Sequence, residues 1–272
     1  MTDGPDLDYD HGALWLPSLH AHLAGFLPAS VEQRLKEAEP EGPWSARDAL
    51  GKAVDLDDLY RRTRTWIEAR GVIAYHGTRL SENQVEAVAR EGLRPLVMED
   101  RTAALTAWLG SHPRWPEIEG RLPEAIAFVR RNSGSREGQV HLTLSRAGLL
   151  FRFNHYLVEG SEFDHHVANF LLGDDARNWY RHRGRAMLYR VRLTGREALA
   201  AANPHGEFQV PNLIDEVVQG LAWSMAMSDQ DTAKLEIDCG MMLLEGLPSD
   251  RIIEAIEVPD EVLWPHYDMR AR

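Results

Sequence analysis

The segment VIAYHGTRLSENQVEAVAREGLRPL, residues 72–96, has the most completely specified local structure in the chain. Its first six residues, VIAYHG, are predicted to form a short β-strand. Ser81 and Gln84 then form the capping box that starts a helix. Gly92 stands where a left-handed residue ends such a helix, and Pro95 prevents the helix from continuing. The segment therefore predicts a strand, a turn, a helix and a stop.

Four further runs in the chain have strand patterns. In 138–145 and 187–193, apolar residues alternate with polar ones, which predicts half-buried strands. Two later runs, 235–244 and 252–258, are also predicted as strands, with the turn EGLPSD between them. Helices of varied length separate these strands, so the sequence predicts an α+β fold with a mixed or antiparallel sheet.

The residues before this core are predicted to form a helical N-terminal region, 1–70, followed by a core of 71–272. Several prolines interrupt short helical pieces in the first part of this region, where one helix is expected to start after a capping Ser30. A longer helix is predicted across 56–70, and Gly71 is expected to close it.

Composition limits the classes of function. The chain has 272 residues, a net charge of −12 and one cysteine, Cys239, so disulfides and cysteine-rich zinc sites within one chain are excluded. The acidic balance argues against broad binding of a phosphate backbone. Arginines concentrate in 61–70, 129–136 and 177–185, where they form either local basic patches or solvated helix faces. An acidic start and the lack of a long apolar run predict a cytoplasmic protein without a membrane segment.

The segment 72–96 resembles the opening of ADP-ribosyltransferase-like proteins, which include poly(ADP-ribose) polymerases, RNA 2′-phosphotransferases and bacterial NAD-dependent toxins. In that superfamily Y-H-G-T ends a strand, and a helix then runs into G-L-x-P. The match is closest to uncharacterised bacterial members, which suggests a toxin or defence protein. The resemblance implies the split sheet core of that superfamily, with NAD as the substrate.

The same resemblance implies a set of NAD-contacting residues. His76 would hold the adenosine-side ribose, and the backbone of Gly77 would bond the nicotinamide amide, which suits a residue that lets a ligand approach closely. Arg79 could pair with a pyrophosphate oxygen, although a surface salt bridge explains it equally well. The complete predicted set is Tyr75, His76, Gly77, Thr78 and Arg79.

A second group of residues, FRFNHYLVEGSEFDHHVANFLLG at 151–173, resembles a tyrosine followed by G-S-E in those bacterial proteins. Ser161 is expected to be an N-cap, which makes Glu162 the first residue of a helix, where the helix dipole favours a carboxylate. We expect Glu162 to be the catalytic group that stabilises positive charge on the sugar as nicotinamide leaves. Tyr156 is expected either to stack on the nicotinamide ring or to lie in the core.

One departure from the family pattern concerns the late strand, where many members place their catalytic glutamate. Gly240 or Met241 occupies that place here. Three alternatives follow, in order of preference: Glu162 has taken over the role, Glu236 or Glu245 serves, or the domain no longer catalyses a reaction.

No metal site is expected, although a histidine pair lies close to Glu162. Adjacent residues on a helix point about 100° apart, so His165 and His166 cannot both face one ion comfortably. The favoured function is therefore metal-free transfer of ADP-ribose from NAD to an unknown protein or nucleic-acid acceptor. The alternatives are an inactive nucleotide- or protein-binding domain of this fold and an RNA 2′-phosphotransferase, which would need several basic residues.

Overall fold

A computed structural model of the chain describes residues 4–133, 137–180, 183–207, 210–229 and 239–270. The helices are α1 (Gly12–His22), α2 (Val31–Glu37), α3 (Pro43–Gly51), α4 (Leu56–Glu68), α5 (Glu82–Glu91), α6 (Met98–Leu109), α7 (Trp115–Ile118), α8 (Leu122–Ser133), α9 (His155–Glu159), α10 (Glu162–Leu172), α11 (Asp175–Tyr180), α12 (Gly195–Ala201), α13 (Asn212–Met227) and α14 (Asp260–Arg270). The strands are β1 (Gly71–Leu80), β2 (Val140–Thr143), β3 (Arg185–Thr194), β4 (Gly240–Leu243) and β5 (Ile252–Glu257).

The fold is α+β, as the sequence predicts. Within the described ranges, five strands form one antiparallel sheet in the order β4-β2-β1-β3-β5. On β1 and β2, Tyr75 lies opposite Thr143. The strand predicted from VIAYHG is longer than expected, since β1 continues to Leu80.

The chain divides into two compact units, each made of separate pieces of sequence. Unit 1 comprises 1–75, 141–148 and 190–242, and unit 2 comprises 76–140, 149–189 and 243–272. Each unit is built from segments that are separated in the chain, so residues distant in sequence share its core.

Unit 1 contains the helical N-terminal region. Helix α13 packs against α2, α3 and α4, and α12 packs against α4. Aromatic rings fill the centre, where Trp15 lies 5.7 Å from Tyr9 and 6.2 Å from Trp66, measured between ring centroids. All three rings are buried, which fixes the N-terminal segment in this unit.

Unit 2 has its own helical core around α10. This helix packs against α8, α9 and α11, with buried apolar residues such as Leu105, Val129 and Val167 at the centre. Helix α10 ends at Gly173, which has the positive φ of 58° that favours glycine.

The stop after α5 is confirmed. Gly92 has a φ of 86°, and a Cβ there would lie 2.0 Å from the carbonyl oxygen of Leu247. Leu93 pairs with Leu247 through two backbone hydrogen bonds of 2.8 Å. The glycine thus allows a close approach that no other residue would permit.

Several local predictions need correction. Helix α4 ends at Glu68, and Gly71 instead begins β1, where a Cβ would lie 2.3 Å from a carboxylate oxygen of Asp6. Ser30 occupies the N-cap of α2 but makes no capping hydrogen bond with its side chain. Thr143 and Ser145 are buried, so this part of the sheet is not half-exposed as alternation predicted. The first four residues of the predicted strand at 235–244 lie outside the described residues, and β4 (Gly240–Leu243) lies in the described part.

Candidate functional site

The Y-H-G-T segment lies on β1 and is mostly buried. Tyr75, Gly77 and Arg79 are buried, whereas His76 and Thr78 are half-buried. Alternate residues of a strand point to the same side, so His76 and Thr78 share the more open face of β1. These two are the residues of the segment that a ligand can reach.

Tyr75 has a structural environment in unit 1. Its hydroxyl donates to Asp8 Oδ1 at 3.4 Å, and Asp8 also pairs with Arg190 at 2.8 Å. Burial, followed by the charges of Asp8 and Asp10, raises the pKa of Tyr75 well above its ordinary value. The phenol is therefore neutral and ties β1 to the N-terminal segment.

Gly77 is explained by packing against leucine side chains. A Cβ at this position would lie 3.1 Å from a methyl group of Leu149 and 3.3 Å from Leu157. The space beside its Cα is thus filled by protein, and a larger residue would press on both leucines. The predicted contact of the Gly77 backbone with nicotinamide has to come from another side.

Arg79 is buried, which rules out the surface salt bridge considered from sequence. Two hydrogen bonds, of 2.9 and 3.0 Å, join its guanidinium to the carboxylate of Asp260. Three more go to the backbone oxygens of Leu157, Arg183 and Gly184. A guanidinium has five N–H donors, so none remains for a pyrophosphate. The geometry favours a supporting role for Arg79.

The second group of residues lies on α9, α10 and the turn between them. Ser161 is the N-cap of α10 and Glu162 its first residue, as predicted, although the Ser161 side chain makes no capping bond. Tyr156 Oη donates to Glu162 Oε1 at 2.9 Å, and His155 Nε2 lies 3.8 Å from the same oxygen. The side chain of Glu162 is 25% exposed. A partly accessible, oriented carboxylate therefore stands at the start of a helix.

Helix α9 is also joined to α10 by a buried pair. His165 Nδ1 lies 2.6 Å from Glu159 Oε2, and the Glu159 side chain is almost fully buried. Next to it, His166 is exposed, and partial burial, followed by the nearby His165, lowers the pKa of His166. Among the described residues, no three His, Cys, Asp or Glu side chains form a group that could hold a metal ion.

Within unit 2 the two groups of residues chosen from sequence are neighbours. Leu157 of α9 lies against Gly77, and its carbonyl accepts from Arg79. Gly160 has a φ of 77°, and a Cβ added to it would lie 3.5 Å from the backbone oxygen of Arg79. The turn that precedes Glu162 thus packs directly on β1. Nothing in the sequence spacing required this proximity.

Sequence reasoning missed one residue near His76. Tyr189 of β3, expected only as an inward-facing core residue, has its ring centroid 6.4 Å from that of His76. Its hydroxyl is buried and has no hydrogen-bond partner in the part of the chain that the structure describes. Burial raises the pKa of Tyr189 to about 12, so the phenol is a neutral donor. Buried hydroxyl groups in proteins usually have a hydrogen-bond partner, so this unsatisfied hydroxyl is unusual.

Two arginines of the 177–185 segment, Arg183 and Arg185, pair with carboxylates. Arg183 Nη1 lies 2.7 Å from Asp164 Oδ2, and Arg101 Nε donates to Asp164 Oδ1 at 2.7 Å. Arg185 pairs with Glu82 and Glu257. Asp164 is fully buried, so the two arginines around it serve the core of unit 2. These ion pairs neutralise arginine charge that the binding of an RNA phosphate would require.

The structure describes only some of the residues considered for the late-strand catalytic role. Gly240 is the first residue of β4, and Met241 is buried in unit 1. Glu245 is exposed after β4, in unit 2. Glu236 lies outside the described residues.

Comparison with known proteins gives no relative. No protein-family model, curated protein or solved structure matches this chain. Within the described ranges, every helix is too short or too polar to cross a bilayer. Local geometry and the motif resemblance therefore carry the functional argument.

Proposed function

We propose that this chain is an NAD-dependent ADP-ribosyltransferase, which displaces nicotinamide and transfers ADP-ribose to an acceptor. One observation carries the proposal: the turn leading to Glu162 packs on the strand that bears His76 and Thr78. Two segments that resemble the same superfamily are separated by about eighty residues and are nevertheless neighbours in unit 2.

The half-buried residues have chemically suitable roles. His76 and Thr78 offer hydrogen-bonding side chains to a ribose on the open face of β1. Glu162 stabilises the positive charge that develops on the sugar when the bond to nicotinamide breaks. Tyr156 donates to Glu162 and holds its carboxylate in one orientation. Arg79 takes a supporting role, because it fastens β1 to α9 through Leu157.

A second candidate function is binding without catalysis. It is favoured by Gly77, whose Cα faces leucine side chains, and by Gly240 and Met241 at the place of the usual late-strand glutamate. Such a domain would keep the fold for a nucleotide or a protein partner.

Incubation of the purified chain with NAD separates these candidates. The transferase predicts saturable NAD binding and catalytic release of nicotinamide, measured by calorimetry and by chromatography. Binding without release supports the non-catalytic domain, and the absence of both contradicts both candidates as NAD-dependent proteins.

The variant His76→Ala tests the placement of NAD. It should weaken NAD binding by roughly two- to twelvefold, the effect of losing one hydrogen bond of about 0.5–1.5 kcal/mol. The melting temperature should change little, as it should in the control His20→Ala, which alters an exposed histidine. Unchanged affinity together with a large loss of melting temperature would show that His76 is structural.

A further inference from the structure

A cleft in unit 1 shares no lining residue with the candidate site. Its volume is about 280 Å³, and its walls come from α4, α12 and the chain that follows α12. The lining residues are Arg64, Glu68, Arg196, Leu199, Ala200, Asn203 and Pro211. This volume is close to the lower end of the range of small-molecule pockets, roughly 300–1,000 Å³, so it suits a small ligand.

The arrangement of the lining follows from helix periodicity. Arg64 and Glu68 are four residues apart on α4, and Arg196 and Leu199 are three apart on α12, so each pair shares one helix face. Leu199, Ala200 and Pro211 supply an apolar wall. Each helix thus contributes an arginine, while the apolar surface comes from α12 and Pro211.

Both arginines of the cleft lack a protein partner. Within the described ranges, neither Arg64 nor Arg196 has an ion pair or a hydrogen bond, and Arg64 does not pair with Glu68. The chain has a net charge of −12, so carboxylates are plentiful. Most other described arginines of unit 1 have polar partners, namely Arg47, Arg61, Arg62, Arg70, Arg190 and Arg192. Among the unit 1 arginines whose side chains have no partner in the described part of the chain, Arg64 and Arg196 are the two that line this cleft.

The walls of the cleft are held by tight contacts. Gly195, at the start of α12, donates its N–H to the carbonyl of Arg70 at 2.7 Å. A Cβ at Gly195 would lie 1.8 Å from the carbonyl oxygen of Ile67, so only glycine allows this approach of α12 to α4. Thr194 caps α12 and bonds reciprocally with Glu197. The two helices that bear the arginines are thus fixed before any ligand binds.

We infer that this cleft binds a small organic carboxylate with an apolar body. Two guanidiniums provide forked donors that match a carboxylate, and the apolar wall receives the remainder of the ligand. Two arginines and Glu68 give the lining a formal charge of +1, which attracts an anion, and the apolar wall favours an anion with an apolar body over inorganic phosphate. This site is independent of the proposed cleavage of NAD.

Calorimetric titration with benzoate tests the inference. Benzyl alcohol probes binding of the apolar body without the charge, and inorganic phosphate probes binding of an anion without the apolar body. Benzoate should bind saturably and more tightly than either. Arg64→Ala combined with Arg196→Ala should weaken benzoate binding roughly tenfold or more. Arg34→Ala, which removes an exposed arginine of α2, should leave it unchanged. Glu68→Gln should tighten it, because the lining becomes more positive.

Three results would contradict the expected series of affinities. Equal binding of benzoate to the wild type and the double arginine variant would overturn the inference, provided circular dichroism shows both folded. Absence of saturable benzoate binding to the wild type, or tighter binding of inorganic phosphate than of benzoate, would overturn it as well. Nicotinamide release from NAD should be the same in the wild type and all these variants, so failure here is distinct from failure of the proposed function.

Discussion

The segments 75–79 and 155–166 both contain residues predicted to be functional, yet their environments differ. In 75–79, Arg79 is 1% exposed and every guanidinium donor is used, while Gly77 faces leucine side chains. In 155–166, the side chains of His155 and Glu162 are 39% and 25% exposed. The first segment is largely a scaffold with two half-buried residues, and the second presents accessible titratable groups.

This difference shows that a motif match and a chemical role are separate properties. A strand that resembles an NAD-contacting element can use most of its residues to hold neighbouring elements in place. The proposed catalysis depends instead on groups that remain accessible and oriented, and Glu162, with its hydrogen bond from Tyr156, is such a group. Variants of the buried Gly77 and Arg79 should therefore lose stability, whereas variants of Tyr156 and Glu162 should lose activity.

Arg79→Met should have the largest effect on stability. The variant leaves Asp260 without its partner and removes donors from three backbone carbonyls, so we expect a loss of about 3 kcal/mol or more in the free energy of unfolding. Chemical denaturation measures it. Arg90→Met, which breaks an exposed pair with Glu91, should cost less than about 1 kcal/mol. Equal losses in the two variants would show that the Arg79 network contributes no more than a surface pair.

Gly77→Ala should have an intermediate effect. The added methyl group meets Leu149 and Leu157 at 3.1–3.3 Å, and such overpacking costs about 1–3 kcal/mol. Gly240→Ala is the matched control on another strand, because nothing lies within 4 Å of its Cβ position. Normal stability of Gly77→Ala combined with lost NAD binding would mean that the glycine faces the ligand, as the resemblance implies.

The sequence predicted those features that depend on nearby residues. The α+β class, the left-handed Gly92 and the start of α10 at Glu162 all follow from local periodicity and capping chemistry. The end of α4 was misplaced, because Gly71 is required for close contact with Asp6, which lies far away in sequence. Contacts of this kind leave no local signal.

The sequence likewise could not predict the environment of the candidate site. The five hydrogen bonds of Arg79 go to three separate places in the chain, namely Leu157, the adjacent Arg183 and Gly184, and Asp260. The packing of Leu157 on Gly77 and the unsatisfied hydroxyl of Tyr189 likewise depend on tertiary structure. The alternation of 187–193 does indicate that Tyr189 points inward, but it cannot show that its hydroxyl lacks a partner.

Tyr156→Phe should have the smallest effect on stability. It removes one hydrogen bond to a carboxylate that water can still reach, so the loss should be below about 1 kcal/mol. Nicotinamide release should fall, because the Glu162 carboxylate is no longer held in one orientation. Thermal unfolding and turnover measured on the same preparation check both effects. A stability loss larger than that of Gly77→Ala would place Tyr156 in the scaffold.

The central claim is that Glu162 stabilises the transition state for nicotinamide departure, and nicotinamide release by Glu162→Gln tests it most directly. The variant keeps the shape of the side chain and should bind NAD with nearly unchanged affinity, while its turnover falls roughly a hundredfold or more. Glu245→Gln and Glu236→Gln are the matched controls, and both should retain the wild-type rate. Full nicotinamide release by Glu162→Gln, together with its loss in either control, would contradict the account and move the catalytic role to the late strand.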